Sequence, residues 1–187
     1  MSTQNLTTSS SMLAKIKAFE GGFRAKAYRD GSTNGTPQFS IGYGHQIQPN
    51  EAYLKTATIT QATALNLLMG NITPLELQIN RANTGFNQNQ FDACINFGFN
   101  EGSGALAKIL QTWSNTHSTV AVTNEMSQYN KTHDNVTNAL VVSADLTARE
   151  KYNVDLFNTK PSLIPSSALL AGAGVLAAVA AMAMFRS

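Results

Sequence analysis

Apolar residues recur at helical spacing along most of this chain, and the breaks in that rhythm mark its elements. Met12, Ile16 and Phe19 share a face in MLAKIKAFE. Ser10 and Ser11 stand before that run as N-cap residues, and Gly21-Gly22 follow as a stop. The pattern predicts a helix over about 11–20 with Glu20 at its end. Ala27-Tyr28-Arg29 then reads as a short strand, and 31–38 (GSTNGTPQ) as a turn-rich loop. FSIGYGH (39–45) alternates and is rich in glycine, as in a strand with close backbone approaches. Together these segments predict a small antiparallel sheet. After Asn50 the rhythm becomes helical. Thr60 caps a run containing Ala64, Leu65, Leu67, Leu68, Leu75, Leu77 and Ile79, one long helix disturbed between Gly70 and Pro74. Phe91, Cys94, Ile95 and Phe99 share a face within 89–100, and 104–113, 119–129 and 146–157 read as three more helices. The class is α+β, an N-terminal helix and small sheet followed by a larger helical lobe.

A different pattern closes the chain. Residues 168–185, ALLAGAGVLAAVAAMAMF, are 18 positions without a charge or a hydrogen-bonding side chain. As a helix they span roughly 27 Å at about 1.5 Å per residue, close to a hydrocarbon core of about 30 Å. A core helix of a small domain keeps one polar face, and this run has none. The expectation is a single C-terminal transmembrane helix, with a lipid membrane as partner through residues 168–185. The first residues, MSTQNLTTSSS, lack the basic start and apolar stretch of a secretory signal, so the chain reads as tail-anchored. The expected organisation is a flexible N-terminus (1–10), one domain (11–158), a linker (159–167) and the membrane helix (168–185).

Composition narrows the function classes. Hydrophobic residues make up 43% and charged residues 13%. That excludes a disordered chain, which needs low hydrophobicity and high net charge, and a coiled coil rich in Glu and Lys. A net charge of +2 is far below that of a dedicated nucleic-acid binder, so no nucleic-acid partner is expected. The lone Cys94 can form no internal disulfide. His45, His117 and His133 lack the spacing of a zinc helix, and neither a phosphate loop nor a dinucleotide fingerprint occurs. No metal and no cofactor are expected.

Candidate chemistry is concentrated in the first quarter. Glu20 stands at a helix end where the chain turns through two glycines, and Asp30 follows ten residues on, where a strand turns. Two carboxyl groups facing one cleft can cleave a bond between sugars. One protonates the leaving oxygen, and the other activates water or attacks. Spacing alone carries little weight among eleven acidic residues. The surrounding residues carry more. EGGFRAKAYRD followed by FSIGYGH resembles the signature of phage-type lysozymes, the muramidase endolysins of glycoside hydrolase family 24, whose pattern runs E-G-x-R-x-x-x-Y-x-D and then T-I-G-Y-G-H. Glu20, Gly21, Arg24, Tyr28, Asp30, Ile41, Gly42, Tyr43, Gly44 and His45 supply it in order. NQNQFDACINFGFNEGSGAL (87–106) and LTAREKYNVDLF (146–157) are similar to two later helices of the family, so the resemblance covers about residues 12–158.

That resemblance implies a lysozyme-like fold and a muramidase acting on bacterial peptidoglycan, with inversion at the anomeric carbon. Glu20 would be the general acid and Asp30 would position or activate the attacking water. Ser40 stands where the family has the threonine of its third active-site position. Tyr28, Gly42, Tyr43, His45 and Arg149 are candidates for substrate binding or support, with Arg149 matching the family arginine that faces the catalytic Glu. Three departures are visible. Glu20 and Asp30 are one residue further apart than in the pattern, the segment from Asp30 to Ser40 is longer, and Ser replaces Thr. Ser keeps the hydroxyl and loses the methyl that restrains its rotamer. With the apolar tail, the reading is a membrane-anchored phage muramidase of a virion's internal membrane or the host inner membrane. It would degrade the wall at penetration or at lysis, and other virion proteins are further partners in the first setting. The alternative class is a non-catalytic structural, membrane-associated virion protein on a degenerate lysozyme fold. The intact Glu20 and Asp30 favour the enzyme.

Overall fold

A computed structural model of the chain describes residues 5–33, 36–133 and 139–160. The elements run α1 (Ser10–Phe19), β1 (Arg24–Thr33), β2 (Thr36–Gly42), β3 (His45–Gln46), a short 3₁₀ segment (Pro49–Lys55), α2 (Gln61–Arg81), α3 (Gln88–Glu101), α4 (Ser103–Thr116), α5 (Thr119–Met126), β4 (Lys131–His133), β5 (Leu140–Val142) and α6 (Ala144–Asn158). The predicted α+β order is present through α6. The expected membrane helix at 168–185 lies outside the described residues. Among those that are described, no helix is long and apolar enough to cross a membrane.

α1 is capped by Ser9, whose hydroxyl accepts from the Met12 amide, and it buries Met12 and Ile16. The cap falls one residue before the serine pair expected to supply it. At the other end the Gly22 amide donates to Lys17 and the Gly21 amide to Ala18, the paired bonds of a Schellman stop. Gly21 takes φ 73°, which costs glycine nothing. Glu20 is thereby left as the last residue before a sharp turn.

The sheet has the order β1-β2-β3, antiparallel throughout. Two expectations are corrected here. The segment 31–38, read as a loop, is mostly paired, with Ser32 opposite Pro37 and Thr33 opposite Thr36. Ladder pairing between adjacent strands overrides a turn-rich composition. FSIGYGH, read as one strand, is divided. β2 ends at Gly42, and β3 starts at His45 opposite Ile41. The intervening turn places Gly42 and Gly44 at φ 71° and 75°.

α2 is continuous through the stretch expected to disturb it, with Pro74 inside the helix. Proline removes one i→i−4 bond, here the one to Gly70, whose position lines an open cleft. Burial of Ala64, Leu68, Ile72, Leu75 and Ile79 holds both halves in line. α3 is the central helix, buried over the eight residues from Phe91 to Gly98, and it packs on α2, α4 and α6. Leu106 and Ile109 of α4 and Phe157 of α6 complete its surroundings.

Three further differences concern the ends of elements. α5 stops at Met126, short of the predicted 129, and the chain forms the hairpin β4–β5, which periodicity did not reveal. That hairpin is short, and Leu140, Val141 and Val142 are exposed on it. Residues 6–9, expected within a flexible N-terminus, are stitched to the helical lobe. The Leu6 amide donates to Asn80, Thr8 donates to Glu76, and the Ser9 amide and hydroxyl donate to Asp92 at 3.1 and 2.6 Å.

Candidate active site

The sheet and the helical lobe enclose a cleft of about 660 Å³ between them. Glu20, Asp30 and Ser40 all line it, together with Gln46, Asn71 and Asn100. Each of the three arrives by a different device. Glu20 is presented by the Schellman turn that ends α1. Asp30 sits in a β-bulge, because four residues of β1 (Arg29 to Ser32) oppose three of β2 (Pro37 to Phe39). A bulge bends its strand and re-aims a side chain, here with Asp30 exposed to the cleft. Ser40 is 1% exposed and lies between Tyr28 on β1 and Gln46 on β3. Its hydroxyl donates to Asp30 Oδ2 at 2.6 Å, a short bond of the kind a carboxylate accepts.

Gly44 determines how closely the sheet approaches Glu20. A Cβ at this position would overlap the Glu20 carboxyl group. Backbone and acid are therefore in contact across the floor of the cleft, which is possible only with glycine here.

The other face of Glu20 is held by Arg149. Its Nη1 donates to Glu20 Oε1 at 3.0 Å and to Asn100 Oδ1 at 2.9 Å, and its Nη2 donates to Asn96 Oδ1 at 3.0 Å. The guanidinium also lies over the Phe19 ring, 5.0 Å from its centroid. Arg149 itself is buried, so its charge is neutralised within the site rather than by solvent. Asn100 in turn donates to Glu101 at 2.5 Å. Burial holds the Glu101 acid above the usual carboxylate range against the pull of Asn100 and Arg149.

The remaining candidates divide. Tyr28 is half-buried beside the acids. Burial first, and the Asp30 carboxylate next, hold its hydroxyl above the usual tyrosine range, so it keeps its proton. Arg24 stacks on its ring at 4.2 Å. His45 is buried, with Nε2 2.8 Å from Glu51 Oε2 and Nδ1 3.3 Å from Asn71 Oδ1. Its role is to brace β3 against the 3₁₀ segment and α2. Backbone and side-chain hydrogen bonds from Gln48 and His45 hold the Glu51 carboxyl below its ordinary range despite the opposing effect of burial. Tyr43 and Gly42 do not reach the cleft. Tyr43 packs on Phe23 at 5.9 Å between centroids, and Gly42 lies against Ala64.

Sequence reasoning missed Asn96, Asn100, Asn153 and Glu150, which connect behind Arg149. Their trace in the sequence was a polar residue on a helix face that is otherwise apolar. In INFGFN, Asn96 is wholly buried among Phe91, Ile95 and Phe97.

Residues 17–145 match the sequence profile of the phage lysozyme family. The endolysin of Bacillus phage PZA is 31% identical over 131 residues, covering 67% of this chain and 47% of that protein. The endolysin of Bacillus phage B103 is 31% identical over 157 residues, covering 78% and 56%. The chain thus spans about half the length of these curated relatives. Among solved structures, the muramidase domain of SpmX from Asticaccaulis excentricus superposes with a TM-score of 0.68 at 27% identity, covering 82% of this chain and 99% of that domain.

Proposed function

The chain belongs to the phage lysozyme family, and from that premise we propose that it is a muramidase cleaving the β-1,4 bond between N-acetylmuramic acid and N-acetylglucosamine in peptidoglycan. One observation carries this reading. Glu20, Asp30 and Ser40 line one open cleft from three separate elements, with the Ser40 hydroxyl bonded to Asp30.

Glu20 gives its proton to the leaving glycosidic oxygen. Arg149 and Gly44 restrict its rotamers so that the acid points into the cleft. Asp30 accepts from Ser40, and the pair orients a water for attack on the anomeric carbon, with Asp30 as the base that takes the water's proton. Protonation of the leaving oxygen and deprotonation of the attacking water balance, and the glycan is left with a new hydroxyl on each fragment. Gln46, Asn71 and Asn100 offer amides along the cleft, suited to the hydroxyl and acetamido groups of the sugars. The direct test is digestion of purified peptidoglycan by the full chain, with the products read by mass spectrometry. Fragments with N-acetylmuramic acid at the reducing end support the reading, and intact glycan strands overturn it.

Ser40 supplies a finer test. Ser40→Ala removes the donor to Asp30 and should lower the rate of wall clearing by about tenfold or more, with little change in melting temperature. Ser40→Thr restores the hydroxyl with a more restrained rotamer and should match or exceed the wild type. A folded but inactive Ser40→Thr protein would show that the water is held elsewhere.

The same reading places the enzyme at a membrane through residues 168–185, in a virion's internal membrane or the host inner membrane. This is supported by 18 consecutive positions without charge or polar side chain. α6 closes at Asn158, so residues 1–160 contain every element found among the described residues and should express as a soluble, active enzyme. The full chain should stay with membranes through a carbonate wash, as a spanning helix does and a peripheral one does not. Release of the full chain by that wash would remove the anchor from the proposal.

A further inference from the structure

Behind the ion pair of Arg149 and Glu20 runs a buried chain of amides that ends at an acid with no role in the chemistry above. Asn96 is 0% exposed, and while its Oδ1 accepts from Arg149, its Nδ2 donates to Asn153 Oδ1 at 2.6 Å. Asn153, also 0% exposed, donates from Nδ2 to Glu150 Oε2 at 3.1 Å. Glu150 is 2% exposed, and its Oε1 has no hydrogen-bond partner among the described residues. We propose that Glu150 is a positioning residue that acts through Asn153 and Asn96 to hold the Arg149 guanidinium against Glu20.

Hydrogen-bond polarity fixes the orientation of each amide in this chain. A side-chain amide has an accepting end and a donating end, and the two are nearly the same shape. If Asn153 turned over, its NH₂ would face the NH₂ of Asn96. Asn96 would then turn as well, and its donors would point at the donors of Arg149. The guanidinium would be expelled from the position that serves Glu20. A group that only accepts, placed at the far end, forbids this sequence, and Glu150 Oε2 is that group. Burial pushes the Glu150 acid up to about 7. In its uncharged form the proton belongs on Oε1, which leaves Oε2 accepting in both states. The charged groups around it are Glu101 on α3 and Arg149 on its own helix. An orphaned buried oxygen is a cost to the fold, so its presence calls for a benefit outside stability.

The proposal rests on Glu20 as proton donor, and its test includes a readout that does not depend on hydrolysis. Glu150→Leu keeps the bulk and removes the acceptor, and Asn153→Ala breaks the chain one link earlier. In the wild type the Arg149 Nη protons should give separate signals in ¹⁵N-resolved NMR, because rotation of the guanidinium is blocked. In Glu150→Leu and Asn153→Ala they should merge. The rate at saturating peptidoglycan should fall about tenfold in both Glu150→Leu and Asn153→Ala, with the half-saturating amount unchanged, as expected when a reacting group is misplaced. Glu150→Leu removes the orphaned acid and also leaves the Asn153 amide without its acceptor, so its melting temperature should gain on the wild type as the pH rises. The gain should be largest above pH 7, where the wild-type fold holds a charged buried acid. Should Glu150→Leu not fold, Asn153→Ala decides. Separate Nη signals and a wild-type rate in either folded variant overturn the proposal. Merged signals in an enzyme whose wild type leaves peptidoglycan intact would sustain the positioning role and sink the muramidase reading instead.

Discussion

Glu20→Gln should abolish wall clearing and leave the fold in place. Glutamine has almost the shape of glutamate, and its carbonyl can still accept from Arg149 Nη1, which now lies 3.0 Å from Glu20 Oε1. What it lacks is a proton to give. General-acid assistance contributes roughly 10²–10⁴-fold, and the clearing rate should fall by at least that order. Stability should change little, because Asn96 and Asn100 go on accepting from the guanidinium. Asp30→Asn should show a comparable loss in the same assay. The double variant should be no worse than the poorer single one, since both groups serve one transition state. A folded Glu20→Gln protein that clears walls at a tenth of the wild-type rate or better would remove Glu20 from the mechanism.

Gly44→Ala is the second substitution with a large expected effect, and it acts without replacing a reacting group. Its Cβ would occupy the space of the Glu20 carboxyl, so the acid must swing away from Arg149 or the turn must open. The positive φ adds a strain of roughly 1–2 kcal/mol for any residue with a Cβ. The two contributions can be separated, because Gly22 also has a positive φ, 86°, with nothing within 4 Å of its would-be Cβ. Both variants should melt lower than the wild type by similar amounts. Only Gly44→Ala should lose activity, by about 10²-fold, the scale expected for a misplacement near 1 Å. Equal rates in the two variants would mean that the contact between Gly44 and Glu20 is dispensable.

These expectations rest partly on what the sequence made legible and partly on what it concealed. The end of α1 was legible, because Ser caps, an apolar face and a glycine pair agree on one local structure. The helices α3 and α4 were legible for the same reason, each carrying an apolar stripe, whereas α6 buries Arg149, Glu150 and Asn153 beside Phe157 and was named from its resemblance to a family helix. The bulge at Asp30 was not. It depends on which residue of β2 opposes which residue of β1, a register that strand composition does not encode. The continuity of α2 was concealed by Pro74, whose local penalty is outweighed by the burial of five apolar residues along the helix. The β4–β5 hairpin was concealed because three-residue strands with exposed side chains leave no alternation to detect.

In the site itself, Glu20, Asp30 and Ser40 could be named from motif order, and the cleft brings them together. Tyr43 and Gly42 belong to the same motif yet serve packing, since a motif conflates residues that touch substrate with those that shape the turn. Asn96, Asn153 and Glu150 carry no motif at all. Their significance comes from burial and from the direction of their hydrogen bonds, both properties of the assembled helices.

The stitching of residues 6–9 to Asn80, Glu76 and Asp92 has a mechanical consequence. It ties α1 to the helical lobe, although α1 precedes the sheet in the chain. Glu20 rides with that lobe, doubly so through Arg149 of α6. Asp30 and Ser40 ride with the sheet, and α2 is the beam that touches both halves. Glu20 and the hydrogen-bonded pair of Asp30 and Ser40 are therefore mounted on opposite jaws. Their separation is therefore set by how the two halves are joined through α2, and a substitution that altered the bend of that helix would change it without touching either jaw.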